Sequence, residues 1–264
     1  MASQEEPGST IPPHILSKLN PDFVPFFRDV LSKRPRDVNI EELRAHPEKY
    51  RAPTAIDTSK CERVTDYEVI SEDGATVPVR VYHPDPDKHG DGPYPVHMNH
   101  HETIFGKAFR DAWAALNWVI NSATTLNINP SSISVGGISA GGNISFVLQH
   151  MARDAGLPLK LCLASVPPTT DCISYDSPTD SPYSSFSEFA NGPVLPWDRI
   201  KYFGQSSPIK APNFKGLCPT FIRTAECDTL RDEGEAYGLK LNERRRSYDE
   251  DAIKALREAH GLAK

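Results

Sequence analysis

The chain has 264 residues, 38% hydrophobic and 24% charged, with a net charge of −6. That is ordinary globular composition, and the length suits one large α/β domain able to bury a sizeable core. The one basic cluster, Arg244-Arg245-Arg246, is too short to indicate nucleic acid, and no run approaches the roughly 18 apolar residues of a membrane span. The N-terminal MASQEEPGST has no apolar stretch of the kind a secretory signal needs. Five cysteines, Cys61, Cys162, Cys172, Cys218 and Cys227, stand without a CxxC pair. They read as free thiols of a reducing compartment and not as zinc ligands, so a cytoplasmic protein is expected.

In chain order, residues 1–12 read as a disordered tail. From Pro13 to about Tyr50, Ile15, Leu16, Leu19, Phe23, Phe26, Phe27, Val30 and Leu31 recur at roughly helical spacing and predict two amphipathic helices. Phe-rich helices of this kind either line a cleft or cover a core. The period then drops to two. VTDYEVIS (64–71) and TVPVRVYHP (76–84) predict a β-hairpin turning at Asp73-Gly74, and YPVHMNHH (94–101) predicts a third strand. A strong amphipathic helix is expected over 109–126, a strand over 132–138 and a helix over 140–156 with Gly156 as its stop. Further strands are expected at 159–167 and 219–228, with a helix at 230–243. Strands alternating with helices imply a mostly parallel sheet covered on both faces. Residues 168–215, rich in Pro, Ser and Tyr, read as an insertion contributing to a lid.

The chemistry concentrates at SISVGGISAGGNISF, residues 132–146. Gly137-Ile138-Ser139-Ala140-Gly141 has the spacing G-x-S-x-G between a predicted strand and a predicted helix. So tight a turn strains the serine backbone, and glycines two residues to either side remove side chains that would collide. Ser139 is the candidate nucleophile. The N–H of Ala140, at the helix N-terminus, is the candidate oxyanion donor. A glycine-rich turn or a phosphate cradle is the competing reading, but no Lys-Ser/Thr follows and no G-x-G-x-x-G occurs.

VGGISAGGNISF, the helix DAWAALNWV and PTFIRTAECDTLRDEGEAYGLKL together resemble the hormone-sensitive-lipase-like branch of the α/β-hydrolase superfamily. The resemblance runs from about residue 60 to 243, and the N-terminal helices are similar to that family's cap. It implies an α/β-hydrolase fold with a tail and cap helices over 1–60, a hydrolase domain over 61–264 and a cap-like insertion at about 168–215. It also implies a carboxylic-ester hydrolase with a serine nucleophile, no metal and no cofactor, acting on a small-molecule ester. Within the family's D-x-L-x-D-E motif, Asp228 takes the place of the triad acid; the same residue could simply cap the helix that follows.

Two parts of the family pattern are missing. No loop histidine follows the acid's helix, because KLNE passes directly into RRRSYDEDAIKALREAHGLAK. His260 lies in that tail, but Ile253, Leu256, Arg257 and His260 fit a helix stopped by Gly261, which argues against a catalytic base. On the oxyanion side, HMNHH leads into ETIFGKAF without the glycines of an H-G-G-G loop, and a sheet strand is expected to be missing with that loop. His100 and His101 read as solvated. The junctions His101/Glu102 and Glu243/Arg244 suggest excised segments, as in an alternatively spliced or truncated product of an intact esterase. The alternative is a catalytically dead relative binding a small apolar ligand, as the plant gibberellin receptors do on this architecture.

Overall fold

The computed structural model describes residues 11–32, 40–46, 63–100, 107–169, 171–203, 206–241 and 252–262. Strands β1 (Val64–Ile70) and β2 (Thr76–Tyr82) pair antiparallel from Val64↔Tyr82 to Ile70↔Thr76. The turn between them is the expected one. Gly74 sits at φ +79°, and Asp73 Oδ1 accepts the Ala75 N–H at 3.1 Å.

The larger sheet holds β3 (Tyr94–His100), β4 (Ile128–Ile138), β5 (Leu161–Ser165) and β6 (Thr220–Arg223), in the order β3-β4-β5-β6 and parallel throughout. Parallel neighbours require crossovers. The helices that supply or follow them are α1 (Lys107–Asn121), α2 (Ala140–Asp154), α3 (Arg231–Leu241) and α4 (Ala252–Ala259). Between sheet and helices lie Leu116, Ile133, Val135, Phe146, Leu148 and Tyr237, all fully buried. Each large apolar side chain removed from water contributes about 1.5–3 kcal/mol. Phe146 of α2 stacks on Tyr237 of α3 with ring centroids 3.9 Å apart, which ties the two helices together.

The hairpin forms its own two-stranded sheet and is not hydrogen-bonded to the four-stranded one. It rests on α1 instead, with Tyr67 packed against Trp118 at 4.9 Å. β3 is therefore an edge strand, as expected of a sheet lacking one member.

Element types agree with expectation, but several bounds move. The strands near 159–167 and 219–228 shrink to β5 and β6, while β4 begins four residues early at Ile128. The two predicted N-terminal helices are instead short pieces: Pro13–Leu16, Phe23–Phe26 running into a π-turn at Phe27–Leu31, and Ile40–Ala45. Pro21 falls between the first two, where its missing N–H and fixed φ interrupt a helix. Both predicted stops hold. Gly156 and Gly261 have φ of +70° and +66°, and the following N–H reaches back five residues each time, Leu157 to Ala152 O at 2.8 Å and Leu262 to Arg257 O at 2.9 Å. Residues 168–215 contain only short helical turns among the described residues, gathered on a small cluster of Cys172, Phe186, Trp197, Ile200 and Leu230. No helix among the described residues is long and apolar enough to cross a membrane.

Candidate active site

β4 ends at Ile138 and α2 begins at Ala140, so Ser139 alone makes the turn. Its φ is 54° and its ψ −121°, a backbone conformation that L-residues rarely adopt. The surrounding glycines explain how it is reached. A Cβ on Gly137 would stand 2.5 Å from the Gly141 carbonyl carbon, and one on Gly141 would collide with the carbonyl oxygen of His100 on β3. Ser139 N–H donates to Ser165 O at 2.9 Å, and Val166 N–H to Arg223 O at 2.7 Å, lacing together the carboxyl ends of β4, β5 and β6. Ile138 projects outward, 69% exposed, beside the half-buried serine. The Ala140 N–H, as the first of the helix, has no partner within it, which is the geometry an anion needs.

Asp228 lies five residues beyond β6, at the same carboxyl edge of the sheet. Its Oδ1 accepts the Leu230 N–H at 2.9 Å, and Arg231 N–H donates to its carbonyl at 3.1 Å. The residue thus shapes the turn that leads into α3, two residues ahead of the position that would cap the helix. Burial pushes its carboxyl above the usual range, only partly offset by the Leu230 N–H. No hydrogen bond links Asp228 to Ser139 or to a histidine among the described residues.

No hydrogen bond joins an imidazole to the Ser139 side chain among the described residues. His260 follows α4 and lies at the opposite end of β4 from the elbow, with Nδ1 2.7 Å from Ser132 Oγ and Nε2 2.8 Å from Ser134 Oγ. Those serines precede Ser139 by seven and five residues on an extended strand, which puts them about 16–23 Å away. His100 is half-buried and not solvated as expected. Its Nδ1 lies 3.2 Å from both Gly136 O and Ser145 Oγ. Packing of β3 against the first turns of α2 encloses it. His101 and both junctions fall outside the described residues.

Three residues hold the site's surroundings: Asp232 and Glu233, which close the D-x-L-x-D-E motif, and Asn143, which the sequence reading did not single out. Glu233, fully buried, accepts the Thr169 N–H at 2.9 Å on one oxygen and the Asp171 N–H at 3.0 Å on the other. Asp232 accepts from Ser184 Oγ and Ser185 N–H, each at 2.8 Å. Asn143, one turn into α2, donates to Pro168 O at 2.7 Å and accepts from Ser206 Oγ at 2.8 Å. The signal available was their position: Asp232 and Glu233 occupy the first turn of a helix, where carboxylates are favoured, and Asn143 stands at i+4 from the serine. A cleft of about 200 Å³ lined by Gln149, Arg153, Leu157 and Cys218 lies at the far end of α2 and takes no part. Burial pushes the Cys218 thiol up to about 12, so it is not a nucleophile there. Among the described residues no three His, Cys, Asp or Glu side chains gather as a metal site would require.

The sequence profile described as alpha/beta hydrolase fold matches residues 101–261. The chain belongs to this family. AB hydrolase superfamily protein C1039.03 of Schizosaccharomyces pombe is 36% identical over 157 residues, 53% of this chain and 45% of that protein. Carboxylesterase NlhH of Mycobacterium tuberculosis is 39% identical over 147 residues, 50% of this chain and 44% of that enzyme. The chain thus spans less than half the length of these curated relatives. Its fold is similar to that of a hyperthermophilic esterase from the archaeon Pyrobaculum calidifontis, with a TM-score of 0.68 and 24% identity over 84% of this chain and 85% of the other. The parallel sheet with flanking helices is the alpha/beta hydrolase architecture.

Proposed function

We propose that this chain is a carboxylic-ester hydrolase by descent whose turnover is impaired in the form described. Ser139 is its nucleophile, Asp228 its triad acid and Ala140 N–H its remaining oxyanion donor. The substrate class is a small-molecule ester, held beneath a cap built from the N-terminal helices and the 168–215 segment. The carrying observation is the strained serine between β4 and α2, backed by the carboxylesterase and esterase names of the relatives. Impairment is argued from the imidazoles. Without a base at its oxygen, a serine hydroxyl keeps a high pKa and attacks poorly. Loss of the base lowers turnover by about 10⁶ in serine-protease precedents, and loss of an oxyanion donor costs about 10²–10³.

The first test is hydrolysis of p-nitrophenyl acetate and butyrate. The expected rate is near background and unchanged by Ser139→Ala. A substantial rate abolished by that substitution would overturn the impairment. Labelling by a fluorophosphonate probe addresses the nucleophile separately. Slow labelling that disappears in Ser139→Ala supports an elbow serine, and no labelling together with retained binding of an apolar ligand supports a binding protein instead. Sequencing the transcript across the codons of His101/Glu102 and Glu243/Arg244 tests the excision. Uninterrupted genomic coding sequence there would rule out splicing.

A further inference from the structure

On the sheet face that carries Ser132 and Ser134, four side chains from three elements form one hydrogen-bonded chain. His260 spans both serines at 2.7 and 2.8 Å, and His97 of β3 brings Nδ1 to 2.9 Å from Ser134 Oγ. Ser134 Oγ also lies 3.2 Å from Val96 O, a carbonyl that can only accept. With the Ser134 proton placed on Val96 O, the other roles follow. Both imidazoles must donate to Ser134 Oγ, so Nδ1 of His260 is left unprotonated and accepts from the Ser132 hydroxyl. Each contact in the chain then has one donor and one acceptor, and the His260 ring is neutral.

We propose that His260 is an acid-sensitive clamp: its neutral ring fastens α4 to β4, and gain of a proton at Nδ1 releases the helix. The proton would occupy the lone pair that Ser132 donates to, forcing that hydroxyl to turn. It would also place a charge on the ring beside other positive or proton-donating groups. Lys160, just ahead of β5, bears on His260, and His97 on β3 already points an N–H at the shared serine. β4 offers only hydroxyls. On α4 itself, Glu258 pairs with Lys254 at 3.9 Å, and Arg257 adds a further positive charge. No ion pair to His260 exists among the described residues. Burial, then Lys160, holds the His260 ring below its ordinary value; burial, then His260, does the same for His97, whose Nδ1 is turned inward although the residue is otherwise exposed.

The sign follows. A histidine depressed in the folded state leaves the clamp intact above the unfolded value near 6.5, and the clamp weakens as pH falls below it. Ala255 is the buried apolar contact of α4 among residues 254–259, so loss of the clamp is felt by the helix before the rest of the domain.

The test is hydrogen–deuterium exchange of the whole chain at pH 7.5 and 5.5, corrected for intrinsic exchange, comparing peptides from 252–262 with peptides from 140–154. Protection of 252–262 is expected to fall, by up to about tenfold for one pH unit below 6.5, while 140–154 holds. His260→Gln keeps a donor and an acceptor but does not titrate, and should make the protection of 252–262 independent of pH. If that variant does not fold, Ser132→Ala provides the second arm: without the hydroxyl that needs Nδ1 bare, the pH response should shrink. A flat wild-type profile, a parallel loss in both regions, a pH response that survives His260→Gln, or one undiminished in Ser132→Ala overturns the proposal. These readouts do not depend on Ser139 or on ester turnover.

Discussion

The serine elbow and the β1–β2 hairpin both turn a strand sharply, yet they are held in different ways. At the elbow the glycines flanking the turn face main-chain atoms. Gly137 faces Gly141, Gly141 faces the end of β3, and the Ser139 N–H is fastened to β5. At the hairpin the turn stands in open space, with nothing within 4 Å of where a Gly74 Cβ would sit. The strands behind it pair only with each other, leaving Val64, Ile70 and Tyr82 exposed. A strained turn closed by its immediate neighbours depends on no strand beyond β3. A hairpin that needs a partner strand falls back on side-chain packing alone.

Alanine at the two glycines separates the cases most sharply. Gly137→Ala places a methyl against main-chain atoms that cannot move aside, and a loss of at least about 3 kcal/mol, or no folded protein, is expected in urea melts. Gly74→Ala meets no atom and incurs only the left-handed backbone penalty, about 1–2 kcal/mol. Equal losses would show that enclosure does not distinguish the turns. Next in size is Glu233→Ala, which strips acceptors from the buried Thr169 and Asp171 N–H groups. At about 1–3 kcal/mol for each orphaned donor, a loss of roughly 2–6 kcal/mol is expected, with earlier proteolysis within 168–203. Glu233→Gln retains one acceptor and should recover part of it.

The elbow was legible because its signals are local. G-x-S-x-G names the turn, the alternation before it names the strand, and the glycines that stop α2 and α4 sit where the sequence puts them. Asp228 was expected to end a strand, whereas β6 closes at Arg223 and leaves it in the turn that follows. The His97–Ser134–His260 chain was not legible, since it joins residues 37 and 126 positions apart, and no local period encodes such a meeting. For the same reason His100 read as solvated: two adjacent histidines look polar until β3 is packed against α2. The N-terminal helices were over-extended because apolar spacing outweighed Pro21 in the reading, whereas the backbone obeys the proline.

A smaller effect probes the hairpin's attachment. Tyr67 against Trp118 joins it to α1, and an aromatic pair is worth about 0.5–1.5 kcal/mol beyond area. Tyr67→Ala should therefore speed exchange across 64–82 while leaving 140–154 unchanged. Loosening that spreads to α2 would mean the hairpin is part of the core's cooperative unit after all.

The smallest effect carries the opposite sign. Ser139 is held at φ 54° and ψ −121°, and its hydroxyl makes no capping hydrogen bond to α2. A non-glycine residue in such a conformation costs about 1–3 kcal/mol, whereas glycine adopts it freely. Against this, glycine loses more backbone freedom on folding, about 0.5–1 kcal/mol. Strain relief is the larger quantity, so Ser139→Gly should stabilise the protein by about 1 kcal/mol. Ser139→Ala, which keeps the strain and loses no helix-capping bond, should leave the melt near its starting midpoint. A Ser139→Gly protein less stable than the parent would mean that the serine oxygen is held by a group that stabilises the fold, and a base within its reach would be the first to look for.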